Sequence, residues 1–248
     1  MDKAIYTAMT GASAAMRLST AVYHNLANVN TPGYKADLVG TEAFKVEGQG
    51  NALPTRVAAV TKNHGFDGRQ GGLQVTGNPL DVALDEGIWL TVTDANGQEA
   101  YTRNGELKIT SNGLLSTQDG GIVQGLAGPV AIPPEQTITI GADGSVSVVP
   151  QGQGPETLAQ VGRLKLAQIA ADQLERGADG LFRAKADAVA LPATGKAVTA
   201  GALETSNADP VSSLVQMIEL QRKYESQVQL IKKADENARV SSGLMRLS

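Results

Sequence analysis

The 248-residue chain has no cysteine, which excludes disulfides, thiolate metal sites and a cysteine nucleophile. Aromatic residues amount to 4 % of it, one Trp, five Tyr and three Phe, too few to build platforms that stack bases or sugar rings. His24 and His64 are the only histidines, and with no His-x-x-x-His spacing or acidic cluster they offer no metal geometry. Basic residues are outnumbered, 21 Lys and Arg against 25 Asp and Glu, for a formal net charge of -4. Such a chain presents no field for a phosphate backbone, so nucleic acid is not an expected partner. No segment approaches the roughly 18 consecutive apolar residues of a membrane span, so direct membrane insertion is not expected. In the opening "MDKAIYTAMTGASAAM" a small-x-small sequence occurs at Ala12 to Ala14, but Tyr6, Thr7, Thr10 and Gly11 break the run before it. No cleaved signal peptide is therefore expected, and export would need another route. What remains is a chain with 42 % hydrophobic residues, enough for a core built mainly from Ala, Val, Leu and Ile, in one large domain or two small ones.

Two long stretches have helical period. Ile5, Met9, Ala12, Met16, Ser19, Tyr23 and Leu26 alternate steps of three and four, with Ala8, Ala15 and Val22 beside them, which predicts one helix over about residues 3 to 29. Its other face carries Ser, Thr, Ala and Asn where a solvated helix usually carries Lys and Glu. From Pro210 onward Leu214, Met217, Leu220, Tyr224, Val228, Ile231, Ala234, Ala238 and Met245 repeat the pattern, and Asp209-Pro210 supplies an N-cap acceptor and a tolerated first residue. Each apolar stripe needs a partner, so the two terminal helices are expected to pair antiparallel as a coiled coil. The uncharged outer face of the first suggests cover by further copies of the chain. The expected assembly interface is Ile5, Met9, Met16, Tyr23, Asn25, Leu26 and Asn28 on the first helix, with Leu214, Met217, Tyr224, Val228 and Ile231 on the second. The charged run "QRKYE", Gln221 to Glu225, reads equally as a solvated face or as an intersubunit ion-pair face.

Between the helices the period is two. "LDVAL", "IWLTVT", "ELKIT", "TITI" and "SVSVV" alternate, and Asn-Gly or Asp-Gly pairs begin at Asn96, Asn104, Asn112, Asp119 and Asp143. This predicts a meander of antiparallel hairpins with tight turns whose two central residues both have positive φ. Residues 162 to 169, 180 to 185 and 197 to 203 are further strand candidates. Residues 46 to 72 and 150 to 156, rich in Gly, Gln and Pro, read as loops or linkers. The fold class is α+β: residues 1–33 and 205–248 form a helical assembly domain, and 34–204 a central, mostly antiparallel β-rich domain.

The first helix ends in "NLANVNTPGYKA". The residue before Pro32 is pushed out of the α region, and Thr31-Pro32-Gly33-Tyr34 fits a type II turn, Pro setting φ at the second position and Gly accepting positive φ at the third. This turn is expected to fix the direction in which the chain leaves the helix for the β domain. Asn25 and Asn28, three apart, share a helical face where their amides both donate and accept.

Catalytic candidates are few. Asp81, Asp85 and Glu86 could be nominated as an acid pair for glycoside cleavage, but they read better as flanking a strand end and a turn. "DANGQE" at 94 to 99 starts like a calcium loop yet lacks the acidic twelfth residue. "GQGN" and "GQGP" lack the Gly-Lys-Ser/Thr of a phosphate-binding loop. Neither an enzyme nor a cofactor is expected; an envelope glycan-binding or glycan-cleaving protein is the alternative from another class.

"NLANVNTPGYKA" resembles the N-terminal signature of the flagellar rod and hook family of axial proteins. "TGNPLDVAL", "YTRNGELKI" and "GALETSNADPVSSLVQMIELQRKYESQ" resemble that family's central and C-terminal motifs, so the likeness spans nearly the whole chain. The opening "MDKAIYTAMTGA", with "GRLKLAQ" and "RGADGLFRA", is most similar to its proximal-rod members; a distal-rod or hook paralogue is the alternative within the family. The resemblance implies a structural subunit exported through the flagellar export apparatus without a cleaved signal. Its implied partners are other copies of itself and other rod proteins, the distal rod included, in a drive shaft that crosses the periplasm. The paired helices are implied to line the inner tube, with the β domain outside.

Overall fold

The computed structural model describes residues 2–46, 56–150 and 157–246. The chain forms two compact units: Met1–Ala27 with Asp37–His64 and Asp209–Ser248, and Asn28–Ala36 with Gly65–Ala208. The loop expected at 150 to 156 and the first part of that at 46 to 72 fall on residues 47–55 and 151–156, outside the described residues, as do "GQGN" and "GQGP".

The first unit holds both long helices, α1 (Asp2–Ala27) and α2 (Pro210–Arg246). They lie side by side in opposite senses, since Gly11 faces the Gln227 side chain while Leu18 to Asn25 border Gln216 to Lys223. The α2 start is capped as its sequence predicts. The Asp209 carboxylate accepts from the Val211 and Ser212 amides, both at 3.1 Å, satisfying donors that have no partner within the helix.

The seam between the helices differs from the expected stripe. Ala8, Ala12, Ala15 and Val22 are buried, whereas Met9, Met16 and Tyr23 are 52, 60 and 46 % exposed. Met9, Met16 and Tyr23 recur every seven residues, and Ala8, Ala15 and Val22 do the same one residue earlier. Small side chains at the seam let the backbones approach closely, and the long Met and Tyr side chains would hold them apart. On α2, Leu220 is buried and Met217, Val228, Ile231, Ala234 and Ala238 are half-buried, while Leu214 and Tyr224 are exposed.

A ribbon of two long strands, Asp37–Val46 and Arg56–Phe66, accompanies the helices. Its strands run in opposite senses, because Gly40 faces His64 and the Lys62 ammonium meets the Glu42 carboxylate at 3.1 Å. Residues 56–66, read from sequence as loop, are therefore strand. A ribbon wet on much of its surface needs no strict apolar alternation, and Lys62, Asn63 and His64 erase the period. The ribbon also groups with the helices rather than with the β domain between residues 34 and 204. Asn25 is one reason: its Oδ1 accepts from the Asp37 amide at 2.8 Å and its Nδ2 donates to the Asp37 carbonyl at 3.1 Å.

The second unit is antiparallel β. Its central strand, Ile88–Thr93, pairs with Glu99–Thr102 on one edge and with Leu166–Gln168 and Ile122–Gly125 on the other. The sheet continues through Leu115–Thr117 to Leu107–Ile109 in one direction and through Phe182–Ala184 to Leu174–Arg176 in the other. A three-stranded sheet of Glu135–Ile140, Ser145–Pro150 and Ala159–Arg163 supplies the facing apolar surface. The alternation of "IWLTVT" sends Leu90 and Val92 into a core with Leu115, Val123, Val146 and Val148. On the other face Trp89 joins Phe66, Tyr101, Ile169, Leu174 and Phe182. The scarce aromatics are thus concentrated, with ring centroids 4.5 Å apart for Phe66 and Phe182 and 4.8 Å for Trp89 and Phe182.

Five hairpins share one turn plan, different from the two-residue type expected. At Asp94, Thr110, Thr117, Gly141 and Gly177 the carbonyl accepts from the amide three residues on, and the amide donates to the carbonyl four residues on. The loops are therefore three residues long and read x-Asn-Gly or x-Asp-Gly, each with its glycine at positive φ, as in Gly97 at +80° and Gly144 at +81°. No non-glycine residue among those described has positive φ, so the Asn and Asp stay in ordinary backbone regions and only the glycine turns left-handed. Asn104-Gly105 is not such a turn. A Cβ on Gly105 would lie 1.7 Å from the Val82 carbonyl oxygen, so this glycine serves a close backbone crossing, recorded in the 3.0 Å bond from the Val82 amide to the Gly105 carbonyl.

Candidate assembly face and a buried charge clasp

On α1 the small residues are buried and the large ones lie outside. Tyr6, Met9, Met16 and Tyr23 on α1, with Val211, Leu214, Val215, Ile218, Tyr224, Leu230 and Val240 on α2, are all exposed. Single exposed apolar residues are ordinary, but this many on one pair of helices exceeds scatter. Met16 and Tyr23 border an open groove with Tyr224, Gln221 and Glu225, so part of the "QRKYE" run lies at its rim. Ile5, Leu26, Met217, Val228 and Ile231 are half-buried.

The two expected interface asparagines work inside the chain. Asn25 holds the Asp37 backbone, and the Asn28 side-chain oxygen accepts from the Thr31 hydroxyl at 3.2 Å. His24 Nδ1 lies 2.9 Å from an Asp37 carboxylate oxygen. In the second unit, the Tyr34 amide donates to the Thr31 carbonyl at 3.2 Å across Pro32 and Gly33, whose φ is +68°, the geometry of a type II turn.

What sequence reading missed is where the residues after that turn go. Lys35, Glu204 and Arg103 are buried together, with side chains 0, 0 and 2 % exposed. Lys35 Nζ is 2.7 Å from Glu204 Oε1 and donates to the Arg69 carbonyl at 2.6 Å. Arg103 Nε donates to Glu204 Oε2 at 2.6 Å, and its remaining nitrogens donate to the carbonyls of Leu84, Asp85 and Ile88, with the guanidinium over the Trp89 ring. The Gly71 amide donates to Glu204 Oε1 at 2.9 Å. Every charged atom is partnered, as burial demands. Burial pushes the Lys35 ammonium below the usual lysine range, against the pull of Glu204. A signal was present in the sequence: Arg103 and Glu204 interrupt otherwise apolar or neutral strand ends in "YTRNG" and "GALETS", which nothing in an alternating pattern requires.

Two of the remaining candidate carboxylates, Asp81 and Asp94, are engaged within the chain. The Asp81 carboxylate accepts from the Thr76 hydroxyl at 2.6 Å and from Asn78 Nδ2 at 2.9 Å, and Asp85 contributes its backbone carbonyl to Arg103. Asp94 Oδ1 accepts from the Asn96 and Gln98 amides at 2.9 and 2.8 Å, so "DANGQE" is a side-chain-capped turn. Among the described residues no group of three or more His, Asp or Glu is placed to hold a metal ion, and no helix is long and apolar enough to cross a membrane.

Two family models match: "Flagellar hook protein FlgE/F/G D1 domain" over residues 86–148 and "Flagellar basal body rod FlgEFG protein C-terminal" over residues 199–244. The second therefore takes in Glu204 and most of α2. The chain is 41 % identical over 254 aligned positions to the flagellar basal-body rod protein FlgF of Escherichia coli K12, covering the whole of both chains. It is equally similar to FlgF of Salmonella typhimurium LT2. It is 32 % identical to the flagellar basal-body rod protein FlgG of Caulobacter vibrioides, over 98 % of this chain and 99 % of that one. The chain belongs to the flagellar basal-body rod FlgE/F/G family.

Proposed function

We propose that this chain is a structural subunit of the proximal part of the flagellar basal-body rod. Its terminal helices pair as an antiparallel coiled coil and polymerise with further copies and with other rod proteins, the distal rod among them. On this reading it leaves the cytoplasm through the flagellar export apparatus, uncleaved, and works in the rod where the shaft crosses the periplasm. The observation that carries the proposal is the apolar surface left outside the helix seam, with Met9, Met16 and Tyr23 about half exposed or more. Surface of this kind gains roughly 25 cal/mol for each Å² of apolar area removed from water, a gain that an isolated chain forgoes and an assembled one collects. Of the carboxylates nominated for a glycan-cleaving site, Asp81 is committed to Thr76 and Asn78, which does not favour that reading.

The test is the double variant Met9→Asp, Met16→Asp. Both side chains are exposed, so the purified protein is expected to unfold within about 0.5 kcal/mol of the parent, while a strain carrying it loses motility and its basal bodies lack the subunit. Normal swimming by that strain would contradict the proposal. Labelled subunits located along purified basal bodies separate a proximal from a distal position.

A further inference from the structure

The chain passes between the units at residues 27/28, 36/37, 64/65 and 208/209, and within the second unit the three stretches that end at the last three of these are fastened to one another through residues Thr31–Ala36. The Gly33 amide donates to the Glu204 carbonyl at 2.8 Å. The Ala36 amide donates to Asn207 Oδ1 at 2.7 Å, and the Asp67 amide to the Ala36 carbonyl at 2.8 Å. Asn207 Nδ2 then donates to the carbonyls of Asp67 and Arg69, both at 2.9 Å. Arg176 donates to the Lys35 carbonyl and lies 4.7 Å from the Tyr34 ring centroid.

The charges divide unequally between this strap and the β core. Arg103 and Glu204 neutralise each other, and Arg103 is anchored on three core carbonyls, so that pair is complete without the strap. Lys35 is a surplus cation brought in by the strap. Its Coulombic gain inside is set against the hydration it recovers on leaving, and a buried ion pair of this kind is close to break-even. The strap brings little apolar surface of its own, six residues of which only Pro32, Tyr34 and Ala36 have appreciable apolar bulk. Elements held mainly by hydrogen bonds and charge, with few apolar contacts, open below the global unfolding free energy.

We propose that Thr31–Ala36 is a latch that opens and closes on a pre-formed β core, and that its closure, with Lys35 seated on Arg103–Glu204, switches the three connecting stretches from separate to mutually tied. The inference goes beyond the rod assignment and does not depend on it, since the latch is a property of the single chain in solution.

Native-state hydrogen exchange on the full chain, in sub-denaturing urea, tests it. In the parent protein the Gly33, Ala36, Asp67 and Asn207 amides exchange through an opening with weak urea dependence, faster than the Thr91 and Leu115 amides of the core. In Gly33→Ala the new Cβ would lie 2.2 Å from the Arg103 carbonyl oxygen at a φ of +68°, which holds the latch open. The Ala36, Asp67 and Asn207 amides are then expected to exchange at least about 30-fold faster, while Thr91 and Leu115 change by less than about twofold. The inference is overturned if latch and core amides share one urea dependence in the parent protein, or if Gly33→Ala accelerates both sets alike or neither. A variant that fails to fold counts with the second result, because it would make the strap part of the core.

Discussion

Replacing Glu204 by Gln should be among the most damaging isosteric changes in the chain, and replacing Lys35 by Met, at the same cluster, should be mild. In the parent, two cations and one carboxylate are buried together. Glu204→Gln leaves the Lys35 ammonium and the Arg103 guanidinium facing a neutral amide, whose own NH2 must point at one of these two donors. Leaving a buried charge without its partner costs about 3–5 kcal/mol. Lys35→Met instead leaves Arg103 and Glu204 balanced, and the Arg69 carbonyl that loses Lys35 Nζ still accepts from Asn207 Nδ2 at 2.9 Å, so the loss should stay within about 1 kcal/mol. With a urea m-value of about 2 kcal/mol per molar, the unfolding midpoint of the β unit, followed by the fluorescence of the single buried Trp89, should fall by about 1.5–2.5 M for Glu204→Gln and by no more than about 0.5 M for Lys35→Met. Equal shifts for the two variants, or a larger one for Lys35→Met, would refute the unequal division of charge.

Gly105→Ala should destabilise the β unit by at least about 3 kcal/mol, because its Cβ meets the Val82 carbonyl oxygen at 1.7 Å. Gly97→Ala, at φ +80° with open space around it, should cost only about 1–2 kcal/mol; chemical denaturation of the two compares them directly. Tyr101, pushed up to about 12 by burial and by the Glu99 carboxylate, should be absent from the tyrosine ionisation seen by ultraviolet difference absorbance near pH 10. The Arg183 guanidinium holds the Asp179 carboxyl below its ordinary range, and the amide of Gln98 with Arg183 does the same for Asp94. Folded-state pKa values below the unfolded ones give stability that is complete above about pH 4 and is lost as pH falls through the folded values. Arg183→Met should therefore move acid unfolding to higher pH, read by circular dichroism; an unchanged acid transition would count against the ion pairs.

Periodicity alone was enough to place both terminal helices and several strands of the β unit, Ile88–Thr93 and Ser145–Pro150 among them, but not Glu99–Thr102, Leu115–Thr117 or Ile122–Gly125. Steps of three and four, or of two, follow from which face each segment must bury, and that information is local. The cap at Asp209 and the turn at Thr31–Tyr34 were legible for the same reason, since Asp-Pro and Thr-Pro-Gly-Tyr act through their own backbone. Local pattern could not decide which of two adjacent stripes forms the seam. Met9, Met16 and Tyr23 are the more hydrophobic, yet Ala8, Ala12, Ala15 and Val22 are buried, because closeness of approach is a property of two helices and is invisible in either one. Nor could it reveal the ribbon strand Arg56–Phe66, whose partner and whose packing lie elsewhere in the chain. Least legible was the clasp: Lys35, Arg103 and Glu204 are ordinary charges by composition, and the break that Arg103 and Glu204 make in their strand ends is the one local hint of burial. Only the tertiary structure, by bringing positions 169 residues apart into one dry site, makes the carboxylate of Glu204 the shared partner on which two buried cations depend.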